Sequence, residues 1–184
     1  MEHYDNTVQA IKYSVSQISG AVLKTQLIKF LYLADVEYRK LTGNAITSLR
    51  YKLWHYGPYD KKFEELLKLM VKNKLISAET WARVVDGAPY EIYHDTDRTL
   101  QFTFTSAQRA TLDAIIHTYK NMELKQLLDE IVYKTKPIQE AQKKKLPLGS
   151  PLEMNCVNHI YHEDLTRLNA QFLDLNLAPD FLPA

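Results

Sequence analysis

The stretch "TQLIKFLYLADVEYRKLTG", Thr25 to Gly43, decides the fold class. Thr25 is placed to open a helix and Gly43 to end it, since glycine adopts the left-handed stop conformation without strain. Between them Leu27, Phe30, Leu31, Ala34, Tyr38 and Leu41 recur at helical spacing and cover a broad face. So wide an apolar face does not suit a helix lying half in water. It predicts a central core helix in a mainly α domain. Asp35 projects between Leu31 and Ile28, at the edge of that face. A carboxylate there must find donors, because burying it unpaired costs several kcal/mol.

Upstream, Asp5 or Asn6 caps a first helix running to about Ser19, with Val8, Ile11, Val15 and Ile18 on one stripe. Downstream, "LRYKLWHYGPYDKKFEELLKLM", Leu49 to Met70, sets Gly57-Pro58 between an aromatic run and a third helix. Pro58 disfavours an α conformation at Gly57, so the pair predicts an abrupt reversal ahead of the helix, with Asp60 as its N-cap. Tyr59, Phe63, Leu66, Leu67 and Met70 form the apolar stripe, and Lys61, Lys62, Glu65, Lys68 and Lys72 the polar side. From Thr80 to Thr105 the pattern alternates, with turn signals at Asp86-Gly87 and Asp95 to Arg98. It predicts a small antiparallel β meander of two or three strands, in which Leu100, Phe102 and Phe104 face one way.

"TSAQ", Thr105 to Gln108, reads as a capping box into a helix reaching about Tyr119. A further helix is expected from Glu123 to about Thr135, with a short one after Lys136-Pro137. A Pro/Gly/Ser linker then leads into an acidic tail. The domain is expected over residues 1–148 and a C-terminal extension over 149–184. In that extension Leu165, Leu168, Phe172 and Leu175 lie close to one stripe, and residues 160–175 are expected to pack back as a helix.

In 184 residues, a hydrophobic content of 46% and a charged content of 24% suit one folded domain with an appendage. A net charge of +1 shows no basic excess, which argues against a dedicated nucleic-acid binder. The single cysteine, Cys156, excludes an internal disulfide and suits a reducing compartment. No secretion signal or membrane-spanning apolar window is present. The expectation is a soluble cytoplasmic protein with no membrane partner.

Signatures of familiar chemistry are missing: there is no glycine-rich phosphate loop, P-loop lysine, Gly-x-Ser-x-Gly elbow or paired Cys-x-x-Cys. Cys156, His159 and His162 are spaced by three, which on a helix fans them across roughly 120° and strains any shared metal. No metal, cofactor or catalytic residue is therefore expected. Lys143 to Lys145 read as a solvated helix end. The aromatic set Tyr51, Trp54, Tyr56 and Tyr59 has two readings. As core it packs on the central helix, the better reading for Trp54. As an interface it supplies rigid protein–protein anchors, the better reading for Tyr56 and Tyr59.

These stretches together resemble a known family. "LIKFLYLADVEYRKLTGNAIT" followed by "YKLWHYGPYDKKFEELLKLM" is similar to the paired motif of the Panacea domain, the SocA-like antitoxin family of bacteria and phages. Leu27, Lys29, Leu31, Tyr32, Leu33, Ala34, Asp35, Gly43, Gly57 and Pro58 stand at the matching places. Tyr59 replaces the usual valine after Gly-Pro, and Ile138 the usual tryptophan of a later Pro-Trp pair. The resemblance extends over residues 5–145 and is specific over Leu27 to Leu67.

The resemblance implies a mainly α, non-enzymatic domain with a small β meander, which binds and neutralises a cognate protein toxin without a cofactor. A family member also works as an adaptor that delivers its toxin to a protease. Toxin-binding residues on this reading are Trp54, Tyr56, Tyr59, Lys61 and Lys62, with Phe172 and Phe181 from the extension. Homodimers and hetero-oligomers with the toxin are both compatible with it. The alternative is a winged-helix-like DNA-binding regulator, since a helix pair followed by a β-hairpin suits one. Near-neutral charge would leave such a protein weak, salt-sensitive DNA binding alone. An enzyme built on Cys156 and His159 has the least support. One geometric expectation ties the motif together: Gly57-Pro58 brings the third helix against the central one, where Asp35 accepts loop or helix N–H groups and so holds Tyr56 and Tyr59.

Overall fold

Helix α2, Lys24–Thr42, runs through the middle of the molecule, and every residue from Leu27 to Val36 is buried. A helix apolar on nearly all sides belongs inside a core, which is why the other elements wrap around it. Gly43 ends it at φ 74°, its N–H donating to the Arg39 carbonyl at 2.8 Å. Leu41 departs from the expected inward face and is 49% exposed, because the last turn runs out past the core. The computed structural model describes residues 5–157.

Helix α1, Asn6–Ser16, is capped by the Asp5 carboxylate, which accepts from the N–H groups of Thr7 and Val8. It stops at Ser16 rather than Ser19, and the chain then forms a short strand, β1, Ala21–Leu23. Strands β4, Ile76–Ala82, and β5, Pro89–Asp95, form a hairpin, and β1 pairs antiparallel with β5 to give the order β1-β5-β4. The third strand thus comes from ahead of α2, not from Leu100 to Phe104. That segment is claimed by α1 instead. The Gln9 side chain accepts the Thr103 N–H at 2.7 Å, and Phe102 and Phe104 set their rings edge-on to Tyr13 at 5.2 and 5.8 Å.

A second hairpin replaces the simple reversal expected at Gly57-Pro58. Strands β2, Lys52–Trp54, and β3, Gly57–Tyr59, pair antiparallel around a tip of His55 and Tyr56. Gly57 closes the turn at φ 80°, a left-handed residue that lets the strands return in register. A Cβ on it would lie 3.4 Å from both Val132 Cγ1 and Tyr133 Cε1, so the close packing there also suits glycine. Helix α3, Lys61–Lys72, follows, with Asp60 accepting from the Lys62 N–H at 3.0 Å.

Helix α4, Ser106–Tyr119, begins on the expected capping box of Thr105 and Gln108. The next helix is not continuous. It comprises α5, Leu124–Gln126, a π-helical turn, Leu127–Ile131, and a 3₁₀ turn, Val132–Lys134. The Val132 N–H reaches the Leu127 carbonyl five residues back, and both side chains are fully buried. Thr135 is extended and Pro137 sits in the first turn of α6, Lys136–Lys143.

The start of the extension is no free linker. Gly149 and Ser150 exchange backbone hydrogen bonds with Leu53 at 2.7 and 2.8 Å, and the Leu152 N–H donates to Tyr51 at 2.9 Å. This segment therefore lines β2, and Leu152 and Val157 are buried. His159, His162, Phe172, Phe181 and the helix expected at 160–175 lie outside the described residues. The architecture is α+β, mainly α with small antiparallel sheets. No helix among the described residues is long and apolar enough to cross a membrane.

Candidate functional site

Two charged side chains are buried on α2, and their surroundings differ. Asp35 accepts four hydrogen bonds: from the N–H groups of Ile46 and Thr47 at 2.8 and 2.9 Å, the Thr47 hydroxyl at 2.5 Å and the Tyr51 hydroxyl at 2.9 Å. Burial pushes its carboxyl above the usual carboxylate range, and these donors oppose that shift. The donors come from the loop after α2, not from the start of α3. Loop N–H donors to Asp35 are thus as expected, but they come from Ile46 and Thr47, and the expected link between Asp35 and the Gly57-Pro58 region is corrected. What ties that region to α2 is Lys29, whose Nζ donates to the Pro58 carbonyl at 2.7 Å.

Lys29 is only 1% exposed, and burial lowers its ammonium from 10.5 to about 7. Among the described residues it has that carbonyl and no carboxylate as partner. Lys12, which is also buried, differs: it bonds the Asp95 carboxylate at 2.5 Å and the Thr96 carbonyl at 3.0 Å.

Lys29 belongs to the wall of a cleft of about 560 Å³. Lys24, Thr25 and Ile28 extend that wall along α2; Lys52, Trp54, Tyr56 and Tyr59 line it from the hairpin, Asp60 from the cap ahead of α3, and Lys61 and Glu64 from α3. Its acidic groups are engaged. Asp60 accepts from the N–H groups of Lys62 and Arg50. Glu64 accepts the Tyr59 hydroxyl at 2.9 Å, a bond that lowers its carboxyl below the usual range. Burial, reinforced by Glu64, raises the Tyr59 hydroxyl well above its ordinary value. Lys24 pairs with Glu91, but Lys52 and Lys61 are exposed and have no ion pair among the described residues. On the wall Lys24, Lys29, Lys52 and Lys61 outnumber Asp60 and Glu64, with Lys24 paired to Glu91 and Glu64 to Lys68 at 3.6 Å, so the cleft presents a modest excess of positive charge beside aromatic rings.

Trp54, Tyr56, Tyr59 and Lys61 come together at this cleft. Lys62 does not line it; its Nζ donates to Ser48 Oγ at 2.7 Å and lies 3.9 Å from Asp5. Trp54 is 48% exposed rather than core, because the hairpin turns its side chain outward beside Gly149. Tyr56, at the tip, is 65% exposed. Sequence reasoning had Lys29 only as a motif position and missed Lys24 and Lys52. The signal for Lys29 was a lysine inside the unbroken apolar run Leu27 to Ala34.

No group of three His, Cys, Asp or Glu side chains among the described residues could hold a metal ion. Burial pushes the Cys156 thiol up, away from the thiolate. A family model described as "Antitoxin SocA-like, Panacea domain" matches residues 27–139, a span that covers α2 from Leu27 onward, both hairpins and the cleft wall from Ile28 to Glu64 but not Lys24, Thr25 or Gly149. No curated protein and no solved structure matches the chain.

Proposed function

The chain belongs to the SocA-like antitoxin family with a Panacea domain, and from that premise we propose that it neutralises a cognate protein toxin by direct, non-enzymatic binding in the cytoplasm. The contact surface on this reading is the β2–β3 hairpin and its cleft. One observation carries it: half-exposed Trp54 and exposed Tyr56 project from a hairpin whose base is anchored in the core. Large aromatic side chains on a fixed backbone lose little freedom on binding, which is why they dominate protein–protein hot spots.

Co-expression with a toxic reading frame adjoining its gene tests the proposal. Growth should be restored and the two proteins should co-purify in fixed stoichiometry. The double variant Trp54→Ala/Tyr56→Ala should lose both rescue and complex while melting like the parent. Rescue without any complex would overturn direct neutralisation. The amount of toxin separates two routes: a constant level fits occlusion, and a falling level fits delivery to a protease.

A further inference from the structure

We propose that the cleft receives an acidic peptide segment of the partner protein, with an Asp or Glu side chain neutralising the Lys29 end and flanking residues held beneath Trp54 and Tyr56. The inference rests on the reading above that the partner binds at this hairpin. It adds the chemistry of the segment that is bound.

Charge complementarity supports it. Of the acids of the wall, Glu64 is paired with Lys68 at 3.6 Å and bonded by the Tyr59 hydroxyl, and Asp60 has its oxygens taken by the Lys62 and Arg50 N–H groups, so the lysines of the wall remain in excess. Lys52 and Lys61 at the exposed side, and Lys29 within, lack a carboxylate partner among the described residues. Lys29 uses one of its three donors on the Pro58 carbonyl, which leaves hydrogen-bonding capacity for a second acceptor. The cleft volume, about 560 Å³, lies within the roughly 300–1,000 Å³ of ordinary ligand sites. Exposed aromatic rings beside it suit the apolar neighbours of a peptide carboxylate better than a bare inorganic anion.

Occupancy should couple to protonation. The groups facing the cleft are Lys24 and Lys29 from α2, Lys52, Tyr56 and Tyr59 from the hairpin, Asp60 from the cap ahead of α3, and Lys61 and Glu64 from α3. Lys29 gives up its proton near neutrality, because burial disfavours the ammonium. A guest carboxylate restores the charged form, so the occupied cleft holds the proton to higher pH than the free one. Affinity should therefore be greatest below about pH 7 and fall above it.

Fluorescence polarisation of the full chain with a labelled Gly-Glu-Asp-Leu-Glu-Gly peptide, against its Gln/Asn counterpart, tests the inference. The acidic peptide should bind about tenfold or more tightly than the neutral one, and added salt should narrow the gap. Lys52→Glu/Lys61→Glu, at exposed positions that leave the core untouched, should abolish the preference. Lys29→Met should remove the decline in affinity between about pH 6.5 and about pH 8.5. Equal binding of both peptides, or a preference unchanged in the double variant, would overturn the proposal. So would displacement by inorganic phosphate as effective as by unlabelled peptide, which would show a small-anion site. A toxin complex that the acidic peptide fails to disturb leaves direct neutralisation standing and removes the acidic guest. Selective peptide binding without a toxin complex does the reverse.

Discussion

Asp35 and Lys29 lie on the same helix and are buried to the same degree, 1% exposed each, yet the fold treats them oppositely. Four donors converge on the aspartate, two of them backbone N–H groups, so its bonding is complete. The lysine has one carbonyl. Burial alone thus says little about the role of a charged group, since it costs both of them hydration. The partners separate them: a closed network locks the loop after α2, whereas an open one beside a cleft retains capacity for a guest.

Asp35→Ala should break the closed side of the comparison most severely. It strands the Ile46 and Thr47 N–H groups and the Tyr51 hydroxyl in the core, where each unsatisfied group costs about 1–3 kcal/mol. A loss of about 3 kcal/mol or more, seen as a fall in Tm of about 6 °C or more, is expected. Calorimetry that finds the variant melting like the parent would remove Asp35 from that role. Gly57→Ala should come next, at about 1–2 kcal/mol for a left-handed non-glycine residue, with added crowding against Val132 and Tyr133. Urea midpoints would measure it, and an unchanged midpoint would show that the hairpin turn relaxes freely.

The parts legible in the sequence are those set by local chemistry. Asp5, Gly43, Asp60 and the Thr105–Gln108 box mark helix ends through bonds made within a turn of themselves. Parts settled by distant contacts were not legible. Ala21–Leu23 is too short to show alternation and becomes a strand only because β5 lies beside it. Gly57-Pro58 reads locally as a reversal ahead of a helix, yet Pro58 pairs with Leu53 while its carbonyl accepts from Lys29 Nζ, 29 residues away. The break after Gln126 likewise serves core packing, which periodicity cannot register. The cleft shared this fate. Its aromatic face could be read from Trp54, Tyr56 and Tyr59, but its lysines come from three separated elements that only the tertiary fold assembles.

Lys29→Met tests the open side of the comparison. Removing the amine relieves the desolvation of a buried charge but leaves the Pro58 carbonyl without its donor, so the variant should lose no more than about 1 kcal/mol at pH 7, well short of Asp35→Ala. The sign of the pH dependence follows from protons bound. Between about 7 and about 10 the unfolded chain keeps the lysine proton while the folded chain has released it, so wild-type stability should rise with pH. Above about 10 the trend should reverse, because buried Tyr32 and Tyr51 hold protons that the unfolded chain loses. Denaturant melts across this range should show the Lys29 rise in the parent and not in Lys29→Met. Matching slopes would mean that the buried amine keeps an ordinary affinity for protons.

Tyr56→Ala carries the smallest expected effect on stability and the sharpest test of the surface. Tyr56 sits at the hairpin tip, 65% exposed, and its hydroxyl makes no hydrogen bond among the described residues. Truncating it leaves the Lys29–Pro58 anchor and the Gly57 turn in place, so stability should move by less than about 0.5 kcal/mol. Tyr59 provides the contrast one strand away. It is half-buried and bonded to Glu64, so Tyr59→Ala should lose about 1 kcal/mol and blur folding with binding. If the hairpin grips the toxin, Tyr56→Ala should weaken the co-purified complex about tenfold or more while the melting curve stays in place. A complex of undiminished affinity would move the contact off the hairpin tip, and would leave Trp54 and the lysine cleft to carry binding without it.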